Sequence, residues 1–153
     1  MSVEDGTTLL QSPIHLLHRA GQCAGFIFSG EVGGGDLTPR QYTLLAAVAR
    51  EEGLSQTELV TRTGIDRSTL ADVIRRLVQR GWLQRRRTSS DARAYAIRLT
   101  EEGREILKNA EPAAQRVDEK VLSGLSGEER DRFMRDLNTI VLTLGATSPV
   151  PAE

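Results

Sequence analysis

Residues 54–103 read LSQTELVTRTGIDRSTLADVIRRLVQRGWLQRRRTSSDARAYAIRLTEEG, and a change of hydrophobic period inside this stretch decides the fold. Ser55 followed by Glu58 is a capping box that starts a short helix, and Gly64 ends it. Asp66 caps a second helix, in which Leu70, Val73, Ile74, Leu77 and Val78 recur at three and four to form one apolar stripe. Gly81 closes that helix. Beyond it the period drops to two. WLQRRR (82–87) and AYAIRL (94–99) are short alternating segments separated by TSSDAR (88–93), so a two-stranded hairpin is predicted. Trp82, directly after the closing glycine, reads as core between the second helix and the hairpin.

The flanks are helical. On the N-terminal side Thr38 and Pro39, with Gln41 completing a capping box, start a helix through QYTLLAAVAREE that stops at Gly53. GEVGGGD (30–36) reads as a loop. From Pro13 to Phe28, Ile14, Leu17, Ala20, Gly21, Ala24, Ile27 and Phe28 recur at helical spacing. On the C-terminal side Thr100 caps a long helix with Ile106, Ala110, Ala113, Val117 and Val121 on one face, and Pro112 is a candidate kink. Ser126 and Glu129 cap the last helix, whose stripe is Phe133, Leu137, Ile140, Val141 and Leu144. ATSPVPAE (146–153) reads as a frayed tail. The expected fold is mainly α with a small β-hairpin, a winged helix-turn-helix flanked by further helices.

A chain of 153 residues, 39% hydrophobic and 27% charged, suits one globular domain spanning 1–153. No apolar run approaches the ~18 residues that cross a bilayer, so no membrane partner is expected. MSVEDGTTLLQ lacks the basic start and apolar stretch of a secretory signal. A single cysteine, Cys23, allows no internal disulfide, and a reducing cytoplasm is the expected location. Charge is distributed unevenly. Ser55 to Arg98 contains ten Arg and four acidic residues, a net of +6, while the remainder carries −7 and the whole chain −1. An acidic body with one concentrated basic segment suits a surface attracted to phosphate. Every base in that segment is Arg, whose planar fork matches phosphates and guanine edges better than Lys does.

The positions of these residues give the segment its chemistry. Arg67, Ser68 and Thr69 stand at the N-terminal end of the second helix, where such a helix enters the major groove. Asp72, Arg75 and Arg76 follow on the face away from the apolar stripe. Ser55 and Gln56, at the start of the preceding helix, join the candidate DNA contacts. Arg93 sits at the hairpin tip, placed for a minor groove, and Arg85, Arg86 and Arg87 can reach phosphates.

LTPRQYTLLAAVA together with residues 54–103 resembles the MarR family of winged helix-turn-helix regulators. The resemblance rests on Asp91-Ala92-Arg93 in the wing, on a recognition helix ending in Leu77 and followed by Gly81, Trp82 and Leu83, and on Leu99, Thr100 and Gly103 close to the wing strand. It implies a winged helix-turn-helix at 37–99 and dimerisation helices at 12–30 and 100–146. The implied protein is a homodimer on a pseudo-palindromic double-stranded DNA operator, with Asp91 shaping the wing and Arg93 reaching DNA. It further implies a repressor released by a small-molecule effector bound between the dimerisation helices and the winged region. Candidates for that effector site are His15, His18, Arg19, Phe26 and Tyr42: His18 and Arg19 as partners of an anion, Phe26 and Tyr42 flanking an aromatic ring. The same residues also read as ordinary helix-surface or interface positions. A free aromatic acid and its thioester are both candidate effectors.

Other readings are weaker on the residues. His15 and His18 are three apart but lack a third histidine, so no metal or other cofactor is expected. Cys23 lies in an apolar stretch and reads as a buried, inert thiol rather than a peroxide sensor. A redox- or metal-responsive regulator and a ligand-independent DNA-binding protein remain alternatives within the fold. Gly33 to Gly35 is not followed by Lys-Ser/Thr, and two neighbouring histidines are poor material for a hydrolase, so an enzyme is not expected. A protein-binding winged helix would show an apolar or acidic recognition face, whereas this one carries Arg67, Arg75 and Arg76. Replacing Arg93 with alanine is expected to weaken binding to all DNA sequences and to flatten the salt dependence by about one unit of slope. Titrations at several salt concentrations check this, and unchanged binding throughout would remove the wing from the mechanism.

Overall fold

The computed structural model describes residues 8–33, 36–88 and 91–147, and the side chains of all of these except 91–94 and 146–147. The main elements among the described residues follow in order: α1 (Pro13–Val32), α2 (Pro39–Arg50), α3 (Gln56–Thr63), α4 (Arg67–Gln79), β1 (Leu83–Thr88), β2 (Asp91–Leu99), α5 (Glu101–Val121) and α6 (Gly127–Thr147). Each predicted start has its cap. Thr38 and Gln41 bond reciprocally at 3.2 and 3.0 Å, Ser55 and Glu58 at 3.2 and 2.7 Å, and Ser126 and Glu129 at 3.4 and 2.7 Å. Each pair satisfies amide donors that the first helical turn leaves without partners. Gly64 ends α3 in the left-handed region at φ 69°, a conformation that costs a side-chain-bearing residue about 1 kcal/mol or more.

α1 outlasts its predicted end. Gly30, Glu31 and Val32 remain helical, and the chain leaves the helix at Gly33 rather than at Gly30. Tertiary contacts hold this last turn: Val32 packs on the core, and Glu31 accepts a 2.8 Å hydrogen bond from Arg116 of α5. The glycine penalty, about 1 kcal/mol, is thereby offset. Gly34 and Gly35 lie outside the described residues. The tail expected at 146–153 begins later too, since α6 continues to Thr147, and 148–153 lie outside the described residues.

The hairpin is antiparallel and longer than the alternation suggested. Leu83 pairs with Leu99, and the register runs regularly to Arg87 opposite Tyr95 before it slips, so that Thr88 pairs with Asp91. Thr88 and Asp91–Arg93, expected in the turn, are therefore strand, while Trp82 precedes β1. A third segment joins the sheet at one residue. Ile97 donates to the carbonyl of Leu54 at 2.9 Å, and Gly53 donates to the carbonyl of Ile97 at 3.1 Å. Gly53 makes this approach at φ 91°.

The core lies between α2, α3, α4, the base of the hairpin and the start of α5. Leu44, Leu45, Val48, Leu59, Leu70, Ile74, Leu77, Leu83 and Ile97 are fully buried there. At the start of α5 Leu107 is buried, with Ile106 half-buried beside it; Val121, expected on the buried face, is 44% exposed. α5 runs unbroken through Pro112. The chain forms two compact units, one through Val117 and one from Asp118. In the second unit Arg130 donates to the carbonyls of Leu122 and Leu125, both at 3.1 Å, closing the turn before α6.

The Leu99-Thr100-x-x-Gly103 element acquires a mechanical reason. The Thr100 hydroxyl donates to the Gly81 carbonyl at 2.5 Å and accepts from the Gly103 amide at 3.0 Å, and the Thr100 amide donates to the Trp82 carbonyl at 3.2 Å. Gly103 passes so close to that turn that an added Cβ would stand 2.0 Å from the Trp82 carbonyl oxygen. No flexible side chain can give way there, because the obstacle is backbone. Gly103→Ala is expected to destabilise the fold by about 1–3 kcal/mol, read as a lowered urea midpoint. An unchanged midpoint would show that the junction is slack.

Candidate nucleic-acid interface

The 3.6-residue period of α4 separates two faces. Leu70, Val73, Ile74 and Leu77 are buried, while Arg67, Ser68, Arg75 and Arg76 are exposed and Thr69 and Asp72 half-buried. Two carboxylates organise the polar face. Asp66 Oδ1 accepts from the Thr69 amide and from the Ser68 hydroxyl, both at 2.9 Å. Hydrogen bonds from Thr69, side chain first and then amide, with Ser68 third, hold the Asp66 carboxyl down at about 2. Two hydroxyl residues predicted to meet DNA are thus turned toward the cap in the free chain. Asp72 spends one oxygen on Arg75 at 2.5 Å and the other on Arg76 at 2.8 Å. Its carboxyl is held below the usual range by the Arg75 bond first and the Arg76 bond second.

Ser55, another predicted contact, is committed to its capping box, and Gln56 is half-buried at the first position of α3. On the hairpin Arg85, Arg86 and Arg87 are all exposed, but strand alternation divides them. Arg85 and Arg87 share a face with their partners Ile97 and Tyr95, and Arg86 stands on the other face with Ala96. The Arg87 guanidinium lies 5.9 Å from the centre of the Tyr95 ring. The backbone of Asp91 and Arg93 belongs to β2 beyond Arg87; the side-chain roles expected of both lie outside the described residues.

The basic segment is less uniformly available than its composition suggests. Arg62 pairs with Glu51 at 2.8 Å, and Arg80 lies 4.5 Å over the Trp82 ring and 3.8 Å from Asp36. Arg98 stands 3.9 Å from Glu52, which also takes a hydrogen bond from Arg104 of α5. Arg62, Arg80 and Arg98 therefore stitch elements of the fold together. Sequence reasoning missed the role of Glu52, because its partners lie 46 and 52 residues away and no local pattern marks them.

The proposed effector residues do not converge within one chain. His15, Arg19 and Phe26 fall on one side of α1 by helical period, with His18 flanking them. Phe28, on the opposite side, is the residue that meets Tyr42, ring centres 5.8 Å apart and planes at 55°. Phe26 is 83% exposed, so Phe26 and Tyr42 flank no common space in a single chain. Cys23, read as a buried thiol, is exposed: it lies outside the stretch of α1 that meets the core at Ile27, Phe28 and Val32. Among the described residues no group of three His, Cys, Asp or Glu is placed to hold a metal ion.

The sequence profile of the MarR family matches residues 35–94. The transcriptional regulator HosA of Escherichia coli O111:H- is 38% identical over 100 residues, which are 65% of this chain and 74% of that protein. The PcaV transcriptional regulator of Streptomyces coelicolor, solved in complex with its natural ligand, superposes with a TM-score of 0.83 at 32% identity, over 87% of this chain and 94% of that one. BpsR of Bordetella bronchiseptica, whose DNA binding is regulated by 6-hydroxynicotinic acid, gives a TM-score of 0.77 at 30% identity, over 82% and 96%.

The Asp66 cap carries a pH signature. A carboxyl whose folded value lies below its unfolded one, 3.8, stabilises fully above that value and loses its contribution as pH falls through about 2. An NMR titration of the native protein is expected to place the Asp66 carboxyl midpoint near 2, and Asp66→Asn to remove this component of acid unfolding. A midpoint at or above 3.8 would mean that the cap does not form in solution.

Proposed function

Because the chain belongs to the MarR family of transcriptional regulators, we propose that it is a homodimeric repressor that occupies a pseudo-palindromic operator and is released by a small anionic aromatic compound. The family is one of regulators, not of enzymes. The observation that carries the DNA reading is the outward face of α4, which combines three exposed arginines with Ser68 while its other face anchors the core. Phosphate contacts from such a face supply affinity, and bidentate arginine contacts to guanine supply sequence preference. Arg85, Arg86, Arg87 and Arg93 add the wing, Asp91 shapes it, and Ser55 and Gln56 approach the backbone from α3.

Dimerisation accounts for apolar surface that one chain leaves in water. Ile14 and Phe26 on α1 are 79% and 83% exposed, and Leu142 on α6 is 73% exposed, beside Ile140, Val141 and Leu144. A second copy would cover these faces of 12–30 and 100–146 and set the distance between two recognition helices about one helical turn of DNA apart.

The effector reading takes its chemistry from BpsR, whose regulator is an aromatic acid. A ligand acts only by preferring one spacing of the recognition helices over the other. Shifting a site from nearly full to nearly empty needs about 10⁴-fold preference, or about 5.5 kcal/mol. An exposed ion pair supplies at most about 1 kcal/mol, so His18 or Arg19 alone falls far short. A buried aromatic ring and two sites per dimer have to provide the rest, with Phe26 of one chain and Tyr42 as candidate walls. The test is a titration onto the protein's own upstream DNA at several salt concentrations, with a panel of aromatic acids and their thioesters. Specific binding abolished by one compound is the expected result. Binding that no compound moves would overturn the effector half and direct attention to Cys23 oxidation, and binding no better than to scrambled DNA would overturn the operator half.

A further inference from the structure

We infer that Asp72 is a specificity-determining residue, which holds Arg75 and Arg76 away from phosphate-only contacts and releases them when the correct base edges are presented. The inference rests on the DNA-binding reading above and adds to it a role for a negative charge in the middle of a cationic face. Asp72 uses both oxygens, one on each of two successive arginines three and four residues ahead, so the clamp is complete in the free chain. Both guanidinium groups remain largely exposed, 53% and 61%, and are thus poised at the surface rather than buried by the pairing.

The physical consequence is a tax that falls unequally on different DNA. On non-cognate DNA the gain is electrostatic, through released counterions, and a carboxylate within hydrogen-bond distance of both cations cancels much of it. Asp72 itself is repelled by phosphate oxygens and by the O6 and O4 acceptors of guanine and thymine. It is compensated only where a cytosine or adenine amino group faces it, while Arg75 or Arg76 takes a neighbouring guanine in bidentate fashion. The carboxylate therefore favours one arrangement of donors and acceptors and penalises the rest. This is discrimination by repulsion as well as by attraction. Asp66, the other acid of this helix segment, cannot share the task, because its carboxylate is occupied by the α4 cap.

The test compares wild type, Asp72→Asn, Asp72→Ala and Asp72→Glu on two duplexes across a salt series. One duplex is selected by the wild-type protein from a randomised library spanning about two helical turns; the other is its scrambled counterpart. The expected result for Asn and Ala is tighter binding to the scrambled duplex, a salt slope steeper by about one, and a ratio of specific to non-specific affinity reduced about tenfold. Glu, which also reaches three and four residues ahead, is expected to keep a ratio near that of wild type. Equal shifts on both duplexes, or a ratio unchanged by any substitution, would overturn the inference. Failure of the wild-type protein to select any sequence would instead sink the DNA reading itself. Thermal melts of the variants distinguish loss of fold from loss of discrimination.

Discussion

The contact on which the rest of the structure depends is the passage of Gly103 against the backbone of Trp82. Three elements meet at that point: the end of the recognition helix, the start of the wing and the first turn of α5. Gly81 and Trp82 provide the turn, Thr100 bonds to it through both hydroxyl and amide, and only a residue without a side chain lets α5 come close enough. The Trp82 indole is buried, and the Arg80 guanidinium lies over its ring. In consequence the direction of α4 and that of α5 are not independent. Any shift of the α5 N-terminus is transmitted to the base of the wing through backbone, which cannot absorb it by changing rotamer.

Charge is deployed in two modes along the same stretch. Arg62, Arg80 and Arg98 are spent on Glu51, Asp36 and Glu52 and tie secondary structure together, whereas Arg85, Arg86 and Arg87 extend from the wing. Between these modes stand Arg75 and Arg76, exposed yet paired with Asp72. The net charge of the chain says little about any of this. What matters is which carboxylate lies within reach of which guanidinium, and those distances arise from packing.

The features legible in the sequence were the ones whose causes are local. Capping boxes at Thr38, Ser55 and Ser126, the cap at Asp66 and the apolar stripe of α4 each need only three or four neighbouring residues, and each formed as read. Non-local causes stayed hidden. The bridge of Leu54 to Ile97, the double pairing of Glu52 and the extra turn of α1 depend on partners distant in sequence. Cys23 was misread for a related reason: an apolar neighbourhood in sequence does not say which side of a helix meets the core. The contact between Phe28 and Tyr42 joins residues of different elements and could only be seen in three dimensions.

The register slip after Arg87 has a consequence for how this protein can vary. Pairs from Leu83–Leu99 to Arg87–Tyr95 are fixed from below by the core and by Leu54, and the slip uncouples them from whatever the chain does farther out. Residues gained or lost between Thr88 and Asp91 would alter no pairing among those below. The base of the wing is thereby held constant, and a change in its outer length would move the DNA-facing end without disturbing the helical body beneath.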